Sequence, residues 1–203
     1  KNLMGSFHQP LAVLCDFDFL ETLGTRELGD GRGEIVKCCL LDGLSPTEMS
    51  KLSQHEQVLL SIQLKARIVS QDEREGGLRA LLNYGHTLAH AIEALVLDGH
   101  DLDIRHGEAV AIGLAYAVRL AQHLGRVDET VVDAHDKALA LFGLSGQLPP
   151  GLAIADLVNA MGRDKKAHHN LTFVLPGPNG FETVSDIARS DVELVLRSFG
   201  GIE

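Results

Sequence analysis

The run Asn83-Tyr84-Gly85-His86-Thr87-Leu88-Ala89-His90 carries the densest chemistry in the sequence. On a helix, His86 and His90 sit four residues apart and project from one face. That face is otherwise apolar, so two imidazoles there need a polar reason. Imidazole is a common ligand for zinc and related metals. Two core histidines bonded to backbone carbonyls fit the same spacing. Two further features favour a metal. His106-Gly107-Glu108 opens a later helix with a third histidine, and Gly33-Glu34-Ile35-Val36-Lys37 puts a carboxylate and an ammonium three apart in an apolar stretch. Glu34 is the kind of hard ligand that completes a two-histidine, one-carboxylate site with a position left open. Taken singly, Glu34 and Lys37 also read as a surface i, i+3 pair, and His106 as a helix-start residue facing solvent.

A cationic group stands beside these residues. Arg79, Asn83, His86 and His90 fall at i, i+4, i+7 and i+11, close to one stripe of a continuous helix. A guanidinium, an amide and two imidazoles on one stripe suit an anionic, oxygen-rich ligand. Lys65 and Lys165-Lys166 stand out because the rest of the chain is acidic, although Lys65 alone reads as a solvated charge.

The elements that must position these residues are mainly helical. Residues 11–14 form a short apolar run before Asp16 and read as a buried strand. After Leu23 the pattern turns helical. Ser45-Pro46-Thr47-Glu48 is a capping box with proline at the first helical position, opening a helix to about Lys51. Longer helices are predicted over residues 55–70, 78–97, 106–124 (closed by Gly125) and 128–142. Pro149-Pro150-Gly151 is a loop. Residues 171–175 and 181–184 form a hairpin across a turn at 176–180. Ser190 to Glu193 reads as a second capping box, opening the last helix.

Composition narrows the function classes. The chain has 203 residues, 45% hydrophobic and 23% charged, enough for a sizeable core. A net charge of −10 is the wrong sign for a phosphate-backbone binder, and 4% aromatics leaves little for base stacking. No apolar run approaches the roughly 18 residues of a membrane span. Cys15, Cys38 and Cys39 have neither metal spacing nor a disulfide framework, and they read as reduced thiols of a cytoplasmic protein. Any targeting segment would lie upstream of Lys1.

Several blocks together resemble the 3-dehydroquinate synthases. These are Lys1-Asn2-Leu3-Met4-Gly5-Ser6-Phe7-His8-Gln9-Pro10, Glu34-Ile35-Val36-Lys37, Asp72-Glu73-Arg74-Glu75 with Gly77 through Thr87, His106-Gly107-Glu108-Ala109-Val110, and Asp164-Lys165-Lys166. They occur in the family's order across essentially the whole chain. The resemblance implies a multi-helical C-terminal domain of the dehydroquinate synthase and glycerol dehydrogenase type, with an N-terminal strand remnant and a small late hairpin. Residues 1–22 would be the tail end of an α/β NAD-binding domain, and residues 23–203 the helical metal- and substrate-binding domain. The family converts the sugar phosphate DAHP into 3-dehydroquinate and phosphate. It does so by transient NAD-dependent oxidation, phosphate elimination, reduction and aldol cyclisation, with one divalent metal, zinc or cobalt. The family is usually dimeric.

Carried over residue by residue, the resemblance makes Glu34, His86 and His106 the metal ligands and removes His90 from that set. Lys37 would stand beside the oxidised carbon, and Lys65 and Arg79 would hold the substrate carboxylate. Asn2, Asn83, His90 and Lys165 would contact phosphate, with His90 also in proton transfer. Lys1 and Phe19-Leu20-Glu21-Thr22 would touch NAD. The sequence departs from the family in three places. A glycine-rich dinucleotide fingerprint is missing, so these residues alone should bind metal without turning over. The interval from His86 to His106 is lengthened through residues 98–103. Cys38-Cys39 stands where tyrosine-glycine is usual. The rival readings are a valiolone- or inosose-type cyclase, a metal-dependent polyol dehydrogenase, and a non-catalytic fragment.

Overall fold

The computed structural model describes residues 8–99, 102–162 and 170–202. Its centre is helix α5 (His106–His123), in which thirteen of the eighteen residues are buried. Only His106, Glu108, Arg119, Gln122 and His123 keep exposure, so α5 is the core helix of the domain. Its run of Gly107, Ala109, Ala111, Gly113, Ala115, Ala117 and Ala121 lets neighbouring backbones come close. Around it pack α1 (Thr25–Leu41), α4 (His86–Leu97), α6 (Glu129–Leu141) and α8 (Arg189–Ser198). The short α2 (Pro46–Met49) and long α3 (Gln54–Gln71) lie against α1. No described helix is long and apolar enough to cross a membrane.

The helix starts follow local chemistry. Ser45 accepts the amide of Glu48 at 3.3 Å, ahead of α2 with proline in its first turn. Ser53 and Glu56 form a complete capping box on α3, and Asp128 caps α6 through the amide of Thr130.

Three expectations need correction. Residues 78–97 are not one helix. A 3-10 turn (Leu78–Asn83) ends at Tyr84, and α4 starts afresh at His86. Gly85 makes the break: it adopts φ +77°, which a side chain resists, and a Cβ there would stand 3.0 Å from Leu114. The four-residue stripe from Arg79 to His90 therefore does not exist as drawn. Ser190 and Glu193 form no capping box. Strand β2 runs directly into α8, Ala188 is the N-cap, and Glu193 instead pairs with Arg189 at 2.7 Å. Residues 11–14 pair with no strand among the described residues, and Leu11, Val13 and Leu14 are exposed. A strand needs a neighbour to take its backbone hydrogen bonds, and none is present there among the described residues.

The hairpin forms as expected but is longer. β1 (Asn170–Gly177) pairs antiparallel with β2 (Gly180–Ala188), with Phe173 opposite Val184 and Gly177 opposite Gly180. Only Pro178-Asn179 is left to turn the chain, and Pro176 lies within the strand. A further helix, α7 (Ile154–Gly162), has no counterpart among the sequence expectations. It buries Ile154, Leu157, Val158 and Met161, a regular i, i+3, i+4, i+7 face.

Candidate metal centre

Three elements meet at one point. Glu34 comes from the middle of α1, His86 from the first turn of α4 and His106 from the first turn of α5. One ligand atom from each lies within 4.8 Å of the others. Glu34 Oε1 is 3.3 Å from His86 Nε2 and 3.7 Å from His106 Nε2. These separations leave room for a cation bound to all three, since metal–nitrogen and metal–oxygen bonds run to about 2.0–2.2 Å.

The rings are turned the right way for that task. His86 Nδ1 lies 3.1 Å from the carbonyl of Tyr84, which can only accept, so the proton sits on Nδ1. His106 Nδ1 lies 3.0 Å from Glu93 Oε1, with the same consequence. Both Nε2 atoms then face Glu34, donating to it while they carry a proton and offering a lone pair to a cation once that proton leaves. Partners of this kind fix the tautomer and orientation of metal-binding histidines. The donor set of two imidazole nitrogens and a carboxylate fits zinc or cobalt.

Charge is concentrated around the carboxylate. Lys37 Nζ sits 3.0 Å from both oxygens of Glu34, and Lys65 Nζ lies 2.9 Å from Oε2. Lys37 is 2% exposed, an ammonium inside the protein that Glu34 neutralises. Burial pushes the Glu34 carboxyl up, but hydrogen bonds from His106 and His86, the charge of Lys37 and a hydrogen bond from Lys65 hold it well below the usual carboxylate range. Burial brings Lys37 below its ordinary value despite Glu34. Burial also works against the charge on Lys65, yet its bond to Glu34 leaves it raised. The hydrogen bond to Glu34 raises His106. A cleft of about 540 Å³ opens from Glu34 and Lys65 between α1 and α3, with Leu28, Val58 and Ile62 on its walls.

Other expected site residues stand further out or engage neighbours. The His90 ring is edge-on to His86 at 5.3 Å between centroids. Arg79 donates to the carbonyl of Glu73, and Asn83 Nδ2 to Glu75 Oε1 at 2.8 Å. Both reach back to the 72–77 loop, which is organised by Asp72, whose carboxylate accepts the amides of Gly76, Gly77 and Arg79. Phe19, Leu20, Glu21 and Thr22 lie on a 3-10 turn (Phe17–Thr22), and Leu20 borders the cleft. Lys1, Asn2 and Lys165 lie outside the described residues. Cys38 and Cys39 are buried in α1. Sequence reasoning missed Glu93, although it is the only acidic residue of α4 and falls seven positions after His86. It also missed the Tyr84 carbonyl, a backbone group that carries no sequence signal.

The 3-dehydroquinate synthase C-terminal family matches residues 31–167. The chain belongs to this family. A putative aminodehydroquinate synthase of Amycolatopsis mediterranei (strain S699) is 50% identical over 196 residues, covering 97% of the chain and 54% of that protein. A 3-dehydroquinate synthase of Nostoc punctiforme (strain ATCC 29133 / PCC 73102) is 41% identical over 206 residues, covering 95% and 56%. Among solved structures, 2-deoxy-scyllo-inosose synthase complexed with carbaglucose-6-phosphate, NAD+ and Co2+ matches with a TM-score of 0.78 at 25% identity, over 98% of this chain and 59% of that one. The chain thus spans about half the length of the curated relatives it matches.

Proposed function

We propose that this chain is the metal-binding part of an NAD-dependent sugar-phosphate cyclase. The observation that carries the reading is the meeting of Glu34, His86 and His106 beside the Lys37 and Lys65 ammoniums. Family membership supports it, as do relatives named as dehydroquinate and aminodehydroquinate synthases and a similar structure that holds NAD+ and Co2+.

A divalent cation held by Glu34, His86 and His106 would polarise a substrate oxygen. The chain's own residues account for the rest. Transient oxidation of a ring hydroxyl makes the neighbouring C–H acidic and phosphate easier to expel. Lys37 would compensate the developing oxyanion from a buried position, where charge acts most strongly. Lys65, tied to Glu34, would meet the anionic substrate at the mouth of the cleft. His90, beside His86, would exchange protons with the substrate or its phosphate. Asn83, Asn2 and Lys165 would bind phosphate, and Lys1 with Phe19 to Thr22 would contact NAD on a partner domain.

For the substrate, Arg79 and Lys65 favour a carboxylate-bearing sugar phosphate of the DAHP type or its amino counterpart, as for a dehydroquinate or aminodehydroquinate synthase. The second reading is a carboxylate-free cyclase substrate of the inosose or valiolone type. The fold match to 2-deoxy-scyllo-inosose synthase favours it, and Arg79 would then serve the 72–77 loop through the carbonyl of Glu73.

The test assays the intact protein with NAD and cobalt against DAHP and against a hexose 6-phosphate. Phosphate release without net NADH is expected, lost in Glu34→Ala. Net NADH with a polyol would replace the cyclase reading by a dehydrogenase. Turnover of the hexose phosphate alone would replace the carboxylate-bearing substrate.

A further inference from the structure

The backbones of α1 and α5 touch at two glycines that adjoin candidate ligands. A Cβ on Gly33 would stand 2.3 Å from the Gly107 carbonyl oxygen, and one on Gly107 would stand 1.6 Å from that of Asp30. Glu34 follows Gly33, and His106 precedes Gly107, so this crossing brings the two side chains within reach. Glycines alone hold no angle, because they carry nothing to interlock. Two polar ties do so at the first turn of α5.

In the first tie, Asp30 Oδ1 accepts the amide of Gly107. That amide is among the donors a helix start leaves without an intrahelical partner. The N-cap residue, Arg105, has no side-chain acceptor to offer. In the second, the Glu108 carboxylate receives Arg26 Nε at 3.3 Å and Nη2 at 3.1 Å, and the Arg105 amide at 2.9 Å. Arg26 and Asp30 lie four apart on α1, so the ties are one helical turn from each other on the same side.

We propose that Asp30 is a positioning residue of the metal centre. It acts through the Gly107 amide to keep His106 at the separation from Glu34 that a shared cation requires, with Arg26–Glu108 as a second tie. This rests on the metal reading given above. Outer partners that orient ligands typically change metal affinity by about 10–100-fold when removed.

The test titrates cobalt into the metal-free intact protein and follows its visible absorption, with chelator competition for affinity and thermal unfolding without metal as the control for folding. Asp30→Ala is expected to weaken cobalt binding about 10–100-fold and alter the absorption band. Asp30→Asn, which keeps an oxygen acceptor, should restore most of both. If Asp30→Ala does not fold, Arg26→Met is read instead, with weaker binding expected. Unchanged affinity and band in the variant read overturn the proposal, even where metal-free stability drops. A loss that Asp30→Asn leaves unrestored also overturns it, by assigning the effect to charge rather than to the hydrogen bond. Absence of any cobalt band in the unaltered protein overturns the metal reading itself, and this inference with it.

Discussion

Tyr84 does two things with two ends. Its carbonyl holds His86 in the tautomer that aims Nε2 at Glu34, and its buried hydroxyl donates to His135 Nε2 at 2.9 Å. His135 completes the chain by donating from Nδ1 to the Val131 carbonyl at 2.8 Å. Both imidazole nitrogens of His135 are thus used in its neutral form, and burial holds its pKa below the ordinary 6.5. The unfolded chain therefore binds a proton there that the folded chain refuses. The resulting stability is present above about pH 6.5 and is lost as pH falls from there toward the folded value. The unfolding temperature is expected to fall between about pH 7.5 and about pH 5, and by less in His135→Gln. Equal slopes in thermal scans of the two proteins would remove His135 from the account.

Helix α5 decides the geometry at the next scale, because its glycines set how closely its neighbours approach. Gly113 abuts Gly85 so tightly that a Cβ would stand 1.9 Å from the Gly85 carbonyl oxygen. Gly113→Ala must push α4 away, and His86 starts α4. Overpacking of this kind costs about 1–3 kcal/mol. In a domain of this size that lowers the unfolding temperature by about 2–4 °C per kcal/mol. Gly29→Ala in α1 is the contrast: its Cβ meets nothing within 4 Å. Better helix propensity there should keep or raise stability, by up to about 1 kcal/mol. Calorimetry on the pair checks both, and a Gly113→Ala variant as stable as the parent would show that the α4–α5 contact can relax freely.

Across the whole molecule, the candidate metal centre joins α1 to the consecutive helices α4 and α5, which lie far from it in sequence. A cation bound to all three is linked to the folded state, because the unfolded chain does not gather Glu34, His86 and His106. Cobalt at about one hundred times its Kd should add about 2.7 kcal/mol, a rise of about 5–10 °C in unfolding temperature. The rise should vanish in Glu34→Gln. Scanning fluorimetry with and without cobalt measures it, and an equal rise in the variant would place the binding elsewhere.

The sequence by itself determined which residue types were available and most of the helices that hold them. Glu34, His86 and His106 were legible because imidazoles and a carboxylate in apolar helices are costly without a partner, and a resemblance covering the chain singled out those three. The paired strands were legible from turn residues and alternation. Helix α7 was equally legible from its apolar spacing, yet no expectation placed it. Tertiary structure alone decided the rest. The break at Gly85 exists because Leu114 and Gly113 of α5 press against that turn, and no local pattern records a neighbour so far along the chain. Glu93 and Asp30 gained roles from where α5 begins, and Arg79 and Asn83 were turned toward the 72–77 loop instead of a shared stripe. Local propensity sees one element at a time, whereas a ligand cluster is a property of distances between elements.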